Sequence, residues 1–115
     1  DYVYMHVKKT DSAGEDGDFD RKVTLLEEVD SYVPRLLEQK PNVVVVTGDH
    51  STPSIMRSHS WHPVPTLIHS EFSLADGAQH FSERGCQLGG LGVMPSSALM
   101  SFVLAHAQRL DKFGA

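Results

Sequence analysis

Val23, Leu26, Val29, Val33 and Leu36 or Leu37 recur at three- and four-residue intervals with charged residues between them, which predicts an amphipathic helix over about residues 19–39. Pro34 falls inside that stretch and is expected to kink or divide it. Gln39-Lys40-Pro41-Asn42 stops it. Ahead of the helix, residues 2–8 alternate and are rich in aromatic and β-branched types, the pattern of a strand. Residues 10–20 are small, polar and acidic and are expected to form a loop. Val43-Val44-Val45-Val46 is a continuous apolar run, which predicts a strand buried on both faces. A strand, a helix and a second buried strand point to a βαβ unit with parallel strands. Val64 to His69 is a third strand, and Ser96 to Phe113 a C-terminal helix with Leu99, Phe102 or Val103, His106 and Leu110 on one stripe. The expected class is α/β, a mostly parallel sheet flanked by helices.

Composition narrows this picture. The chain has 115 residues, enough for one compact domain and too few for two. With 40% hydrophobic and 22% charged residues it belongs with globular proteins, not disordered ones. No apolar run reaches the length of a membrane span, so no membrane partner is expected. The formal charge of −5 argues against a broad nucleic-acid footprint, although an acidic protein can bind an anionic substrate through metal ions. Cys86 stands alone and cannot form an intrachain disulfide, which suits a reducing cytoplasm. The chain opens at Asp1 directly into a β-rich run, and a fragment of a longer protein or a processed product is expected.

Ligand-type side chains gather at three places close to predicted strands. Asp11 and Glu15 lie four residues apart after the first strand; Asp49-His50 follows the valine run; His59-Ser60-Trp61-His62 precedes the third strand. Carboxylates beside imidazoles suit divalent ions such as Mn²⁺, Mg²⁺ or Zn²⁺. Acidic residues in a Gly-rich segment are equally turn formers and caps, and Asp16, Asp18 and Asp20 fit that role better. His6 falls on the first predicted strand, His106 on a helix face, and His69 and His80 have no partner motif; each fits a packing or surface position. Ser12, Ser51, Ser54, Ser58 and Ser60 lie near the site, but none occupies a Gly-x-Ser-x-Gly elbow. The glycines at 89, 90 and 92 lack the Gly-Lys-Ser/Thr ending of a phosphate loop, and a tight turn before the last helix is expected.

His6-Val7-Lys8-Lys9-Thr10-Asp11-Ser12-Ala13-Gly14, Thr47-Gly48-Asp49-His50-Ser51-Thr52-Pro53 and His59-Ser60-Trp61-His62-Pro63-Val64-Pro65 occur in that order. The tail reads Phe81-Ser82-Glu83-Arg84-Gly85-Cys86-Gln87-Leu88-Gly89-Gly90-Leu91-Gly92 and ends Lys112-Phe113-Gly114-Ala115. Over nearly its whole length the chain resembles the C-terminal third of the archaeal-type 2,3-bisphosphoglycerate-independent phosphoglycerate mutases, in the alkaline phosphatase superfamily.

The resemblance implies the C-terminal, metal-binding part of an alkaline-phosphatase-like catalytic domain, residues 1–115, in a cytoplasmic enzyme. It implies two divalent ions, Mn²⁺, Mg²⁺ or Zn²⁺. Asp49 and His50 would hold the ion nearest the nucleophile, and Asp11 and His59 the other. The family's usual ligand four residues after the first Asp is His; here it is Glu15, which would favour harder ions. The nucleophilic Ser and an early Asp would come from a missing N-terminal part, so no catalytic residue is expected in this chain, and alone it would be inactive. The implied reaction interconverts 2-phosphoglycerate and 3-phosphoglycerate, in glycolysis and gluconeogenesis, through a phosphoserine enzyme, with homo-oligomers possible. The alternatives are another metal-dependent phosphomutase or phosphatase of the superfamily, or a non-catalytic metal-binding fragment.

Overall fold

The computed structural model describes residues 1–110. The predicted helix end at Phe113 and the Lys112–Ala115 tail lie outside the described residues. Two compact units are present, the first formed by Asp1–Lys40 and His50–His62, the second by Pro41–Asp49 and, among the described residues, 63–110.

In the first unit, helix α1 spans Lys9–Asp16 and helix α2 spans Phe19–Leu37, and the two pack together. The acidic segment 10–20 is therefore mostly helical, where its composition suggested a loop. What ends α1 is Gly17 at φ 74°, with its N–H on the Gly14 carbonyl and the Asp18 N–H on the Ala13 carbonyl. That double bond pattern around a left-handed residue is the Schellman motif, which glycine enters without Cβ strain. Asp18 then caps α2 by accepting the Arg21 N–H at 2.9 Å. Val23, Leu25, Val29, Val33 and Leu36 form the half-buried stripe of α2, with Leu25 in the place expected for Leu26. Pro34 neither divides nor ends the helix, because it sits in the last turn, where the ring removes a single hydrogen bond.

Residues 2–8 do not form the predicted strand. A strand exists only with a hydrogen-bonded neighbour, and this run pairs with none among the described residues. Tyr2, Val3, Tyr4 and Met5 are 61–77% exposed.

In the second unit, β1 (Val43–Thr47) and β2 (Thr66–Ser70) pair antiparallel, from Val43 opposite Ser70 to Thr47 opposite Thr66. The Thr47 and Thr66 hydroxyls lie 2.9 Å apart at the end of the ladder. The sheet among the described residues is two-stranded and antiparallel, not the mostly parallel sheet expected. The parallel arrangement depended on a strand at residues 2–8, which is absent. The valines of β1 are half-buried, not enclosed on both faces. A short α3 (Glu83–Cys86) is capped by Ser82, and a 3₁₀ turn at Ser96–Ala98 leads into α4 (Leu99–His106), which packs on β1. This last helix is shorter than its apolar stripe predicts. Gln108 at φ 54° turns the chain out, with its N–H on Ala105 and the Arg109 N–H on Leu104, a second Schellman ending.

Large apolar side chains are poorly covered. Ala13 is the one buried hydrophobic residue among those described, while Ile55, Leu74 and Val93 stand almost fully exposed. No helix among the described residues is long and apolar enough to cross a membrane.

Candidate metal centre

Asp11 and Glu15 are one turn apart on α1, so the helix period places both carboxylates on the same face. The two histidines come from the segment between β1 and β2 in sequence. Ser51 and Ser60 form an isolated antiparallel bridge, with the Ser60 N–H on the Ser51 carbonyl at 2.9 Å. A turn on Pro53, whose carbonyl receives the N–H groups of Met56 and Arg57, reverses the chain inside that bridge. Closing the segment brings His50 and His59 together with ring centroids 3.8 Å apart.

Ligand atoms of Asp11, His50 and His59 all lie within 4.8 Å of one another. His59 Nε2 is 3.5 Å from Asp11 Oδ1 and 3.6 Å from Glu15 Oε1. Two ligands ~2.1 Å from one tetrahedral ion stand about 3.4 Å apart, so these edges match a divalent coordination shell. The donor set, carboxylate oxygen plus imidazole nitrogen, suits borderline divalent ions. Asp11 and His50 are half-buried, His59 is exposed, and about half of the Glu15 side chain is in solvent.

Asp11 has a carboxyl held below the ordinary carboxylate range. The main cause is the hydrogen bond from the Thr52 hydroxyl; burial works against it, and the electrostatics of His50, His59 and Lys22 add to it. Thr52 donates to Asp11 Oδ1 at 2.6 Å and lies 3.1 Å from His50 Nδ1. Its own carbonyl accepts from Lys22 Nζ of α2 at 2.6 Å. Thr52 is almost completely buried, and Gly14 of α1 comes so close that a Cβ there would sit 2.5 Å from the Thr52 carbonyl oxygen.

Of the residues expected at the site, the structure brings together Asp11, His50 and His59, with Glu15 against His59. Asp49 is exposed, belongs to the second unit just beyond β1, and is not one of the three. Asp11 sits on a helix and not in a loop after a strand. Among the serines, Ser60 Oγ is 2.8 Å from His62 Nδ1, and Ser51 is engaged through its backbone in the bridge. The sequence reading did not single out Thr52 and Lys22. The one available signal for Thr52 was its place two residues after His50, the reach of a local hydroxyl bond.

The metalloenzyme superfamily model matches residues 1–106. Over all 115 residues the chain is 51% identical to a protein of Aquifex aeolicus and 54% identical to one of Thermotoga neapolitana. Both are named "probable 2,3-bisphosphoglycerate-independent phosphoglycerate mutase", and the chain spans 28% and 29% of their lengths. A relative of the same name in Deinococcus radiodurans is 50% identical, with 28% of it covered. The solved structure of the PH0037 protein from Pyrococcus horikoshii superposes with a TM-score of 0.93 at 36% identity, over 100% of this chain and 36% of that one. A donor set of carboxylate and imidazoles and a family match over nearly the whole chain agree: this chain belongs to the metalloenzyme superfamily.

Proposed function

We propose that this chain is the C-terminal, metal-binding part of a cofactor-independent phosphoglycerate mutase and supplies ligands to a centre of two divalent ions. The carrying observation is the convergence of Asp11, His50 and His59 in a chain about half identical to proteins bearing that name. Asp49 and His50 serve one ion, and Asp11, His59 and Glu15 the other.

When bound, the ions would neutralise charge on the transferred phosphoryl group and favour the ionised nucleophile. The chain's own residues hold and orient. Asp11 presents an ionised carboxylate, kept so by Thr52. The bridge at Ser51 and Ser60 keeps the two imidazoles side by side. The nucleophilic Ser and the early Asp come from the remaining part of the longer enzyme. The uncovered apolar surface supports that reading, since Tyr2 to Met5 and the open sides of β1 and β2 fit burial against further polypeptide.

The test is to assay the full-length protein with 3-phosphoglycerate and Mn²⁺, measuring 2-phosphoglycerate. Interconversion that is lost in Asp11→Ala, His50→Ala and His59→Ala supports the reading. Hydrolysis of a generic phosphate monoester without interconversion would assign it to a phosphatase instead. The isolated 115-residue chain is expected to show no turnover, and turnover abolished by Asp49→Ala would place a nucleophile within it.

A further inference from the structure

We propose that Thr52 is a positioning residue that fixes the ring tautomer of His50 and the orientation of the Asp11 carboxylate, so that each meets its divalent ion as a ligand. This rests on reading Asp11 and His50 as ligands. A buried hydroxyl needs partners, and Thr52 finds two of them in those side chains.

Hydrogen bookkeeping settles the direction. A hydroxyl carries one hydrogen and two lone pairs, and a carboxylate only accepts. The hydrogen therefore lies on the 2.6 Å bond to Asp11 Oδ1. Toward His50 Nδ1, 3.1 Å away, the same oxygen has only a lone pair to offer. The ring must donate there, so Nδ1 carries a hydrogen, and in the neutral ring Nε2 is left with the lone pair a metal requires. One hydroxyl thus orients two ligand side chains 39 positions apart in sequence.

The hydroxyl is itself held from two helices. Lys22 Nζ of α2 grips the Thr52 carbonyl at 2.6 Å, and Gly14 of α1 lets the backbone approach to a distance that excludes any side chain. Thr52 is consequently placed by the packing of α1 and α2, not by the metal.

The test uses the full-length protein, labelled with ¹⁵N-histidine and stripped of metal, with His50 assigned by His50→Gln. Two-bond ¹⁵N–¹H correlations then report its tautomer. Wild type and Thr52→Ser are expected to show His50 protonated on Nδ1. Thr52→Val, which keeps the shape and loses the hydroxyl, is expected to populate the Nε2–H form. Mn²⁺ affinity by calorimetry is expected to fall roughly 10–100-fold in Thr52→Val and to recover in Thr52→Ser. A wild-type His50 carrying its hydrogen on Nε2 overturns the proposal without any variant having to fold. Unchanged tautomer and affinity in a folded Thr52→Val also overturn it. Failure of the ligand reading has a different signature, Mn²⁺ affinity unaffected by Asp11→Ala and His50→Ala, while the metal-free tautomer still reports on Thr52.

Discussion

Ser60 donates its N–H to the carbonyl of Ser51 at 2.9 Å, and this one backbone bond closes the segment that carries His50 and His59. The histidines flank the bridged pair, so closing the bridge is what brings their rings to 3.8 Å. Ser60→Pro deletes the donor and pushes His59 toward extended backbone. Mn²⁺ affinity of the full-length protein, measured by calorimetry, should fall at least tenfold, by about 1.4 kcal/mol or more. Ser60→Ala keeps the backbone bond and loses only the contact with His62, so its affinity should match wild type.

That bridge also shows where the sequence was legible and where it was not. Asp11, His50 and His59 were marked by residue type and order, and the structure gathers them. The helical period from Val23 to Leu36 and the presence of β1 and β2 were equally plain, because they depend on local pattern, although β2 runs Thr66–Ser70 where Val64 to His69 was expected. The strand expected at residues 2–8 depended on a neighbour, and pattern alone cannot supply one. Helix α1 was hidden by Gly14 and its acidic residues, which look like a loop until Gly14 is seen to admit the Thr52 backbone. Thr52 was missed for a related reason. Its partners Asp11 and Lys22 are 41 and 30 residues away, and no local spacing reports such a contact.

Gly14 gives a second prediction. A Cβ there would meet the Thr52 carbonyl oxygen at 2.5 Å and Thr52 Cγ2 at 3.0 Å, a backbone clash that no rotamer relieves. Gly14→Ala should destabilise the protein by roughly 1–3 kcal/mol and weaken metal binding by displacing Thr52. Gly77→Ala, where the nearest atom is 3.6 Å away, is the control and should leave both properties nearly unchanged. Thermal denaturation and calorimetry of the two variants check this.

Ser70 ends β2, and its buried Oγ lies 2.9 Å from Nδ1 of His106, the last residue of α4. The same oxygen accepts the Phe72 N–H at 3.2 Å and touches the Ser73 hydroxyl at 3.0 Å. Ser70→Ala leaves these polar groups without their partner, at a cost of about 1–3 kcal/mol. Hydrogen exchange should quicken in α4 while Mn²⁺ affinity stays at the wild-type value. A fall in affinity would mean that this pair acts on the metal centre.

Asp76 gives a pH dependence. Its carboxyl lies below the ordinary range because Gly90 N–H and Ala78 N–H both donate to it, at 2.8 and 3.0 Å. A group whose folded pKa is depressed contributes stability that is present above its unfolded value, here 3.8, and is lost as pH falls through the folded value. The melting temperature of wild type should therefore exceed that of Asp76→Asn at neutral pH. The difference should shrink only below pH 3.8 and vanish once Asp76 is protonated in both states. A difference that stayed constant across this range would mean that the charge on Asp76 adds nothing to holding the loop.

Glu15 stands one helical turn beyond Asp11 on α1. Its Oε1 is 3.6 Å from His59 Nε2, close enough to share an ion with that ring, although half of the side chain is in solvent. An oxygen donor in place of nitrogen hardens the site and favours Mn²⁺ or Mg²⁺ over Zn²⁺. With Glu15 as a ligand, as proposed, Glu15→Ala should weaken Mn²⁺ binding by about tenfold. Glu15→His should restore affinity but turn the preference toward Zn²⁺, because imidazole suits the softer ion. The decisive quantity is the ratio of Mn²⁺ to Zn²⁺ affinity, compared across the full-length protein with Glu, Ala and His at this position. A ratio that does not move, with Mn²⁺ bound equally by Glu15 and Glu15→Ala, would reduce Glu15 to a surface residue of α1. A ratio that falls in Glu15→His identifies this single carboxylate as the residue that sets the metal preference of the site.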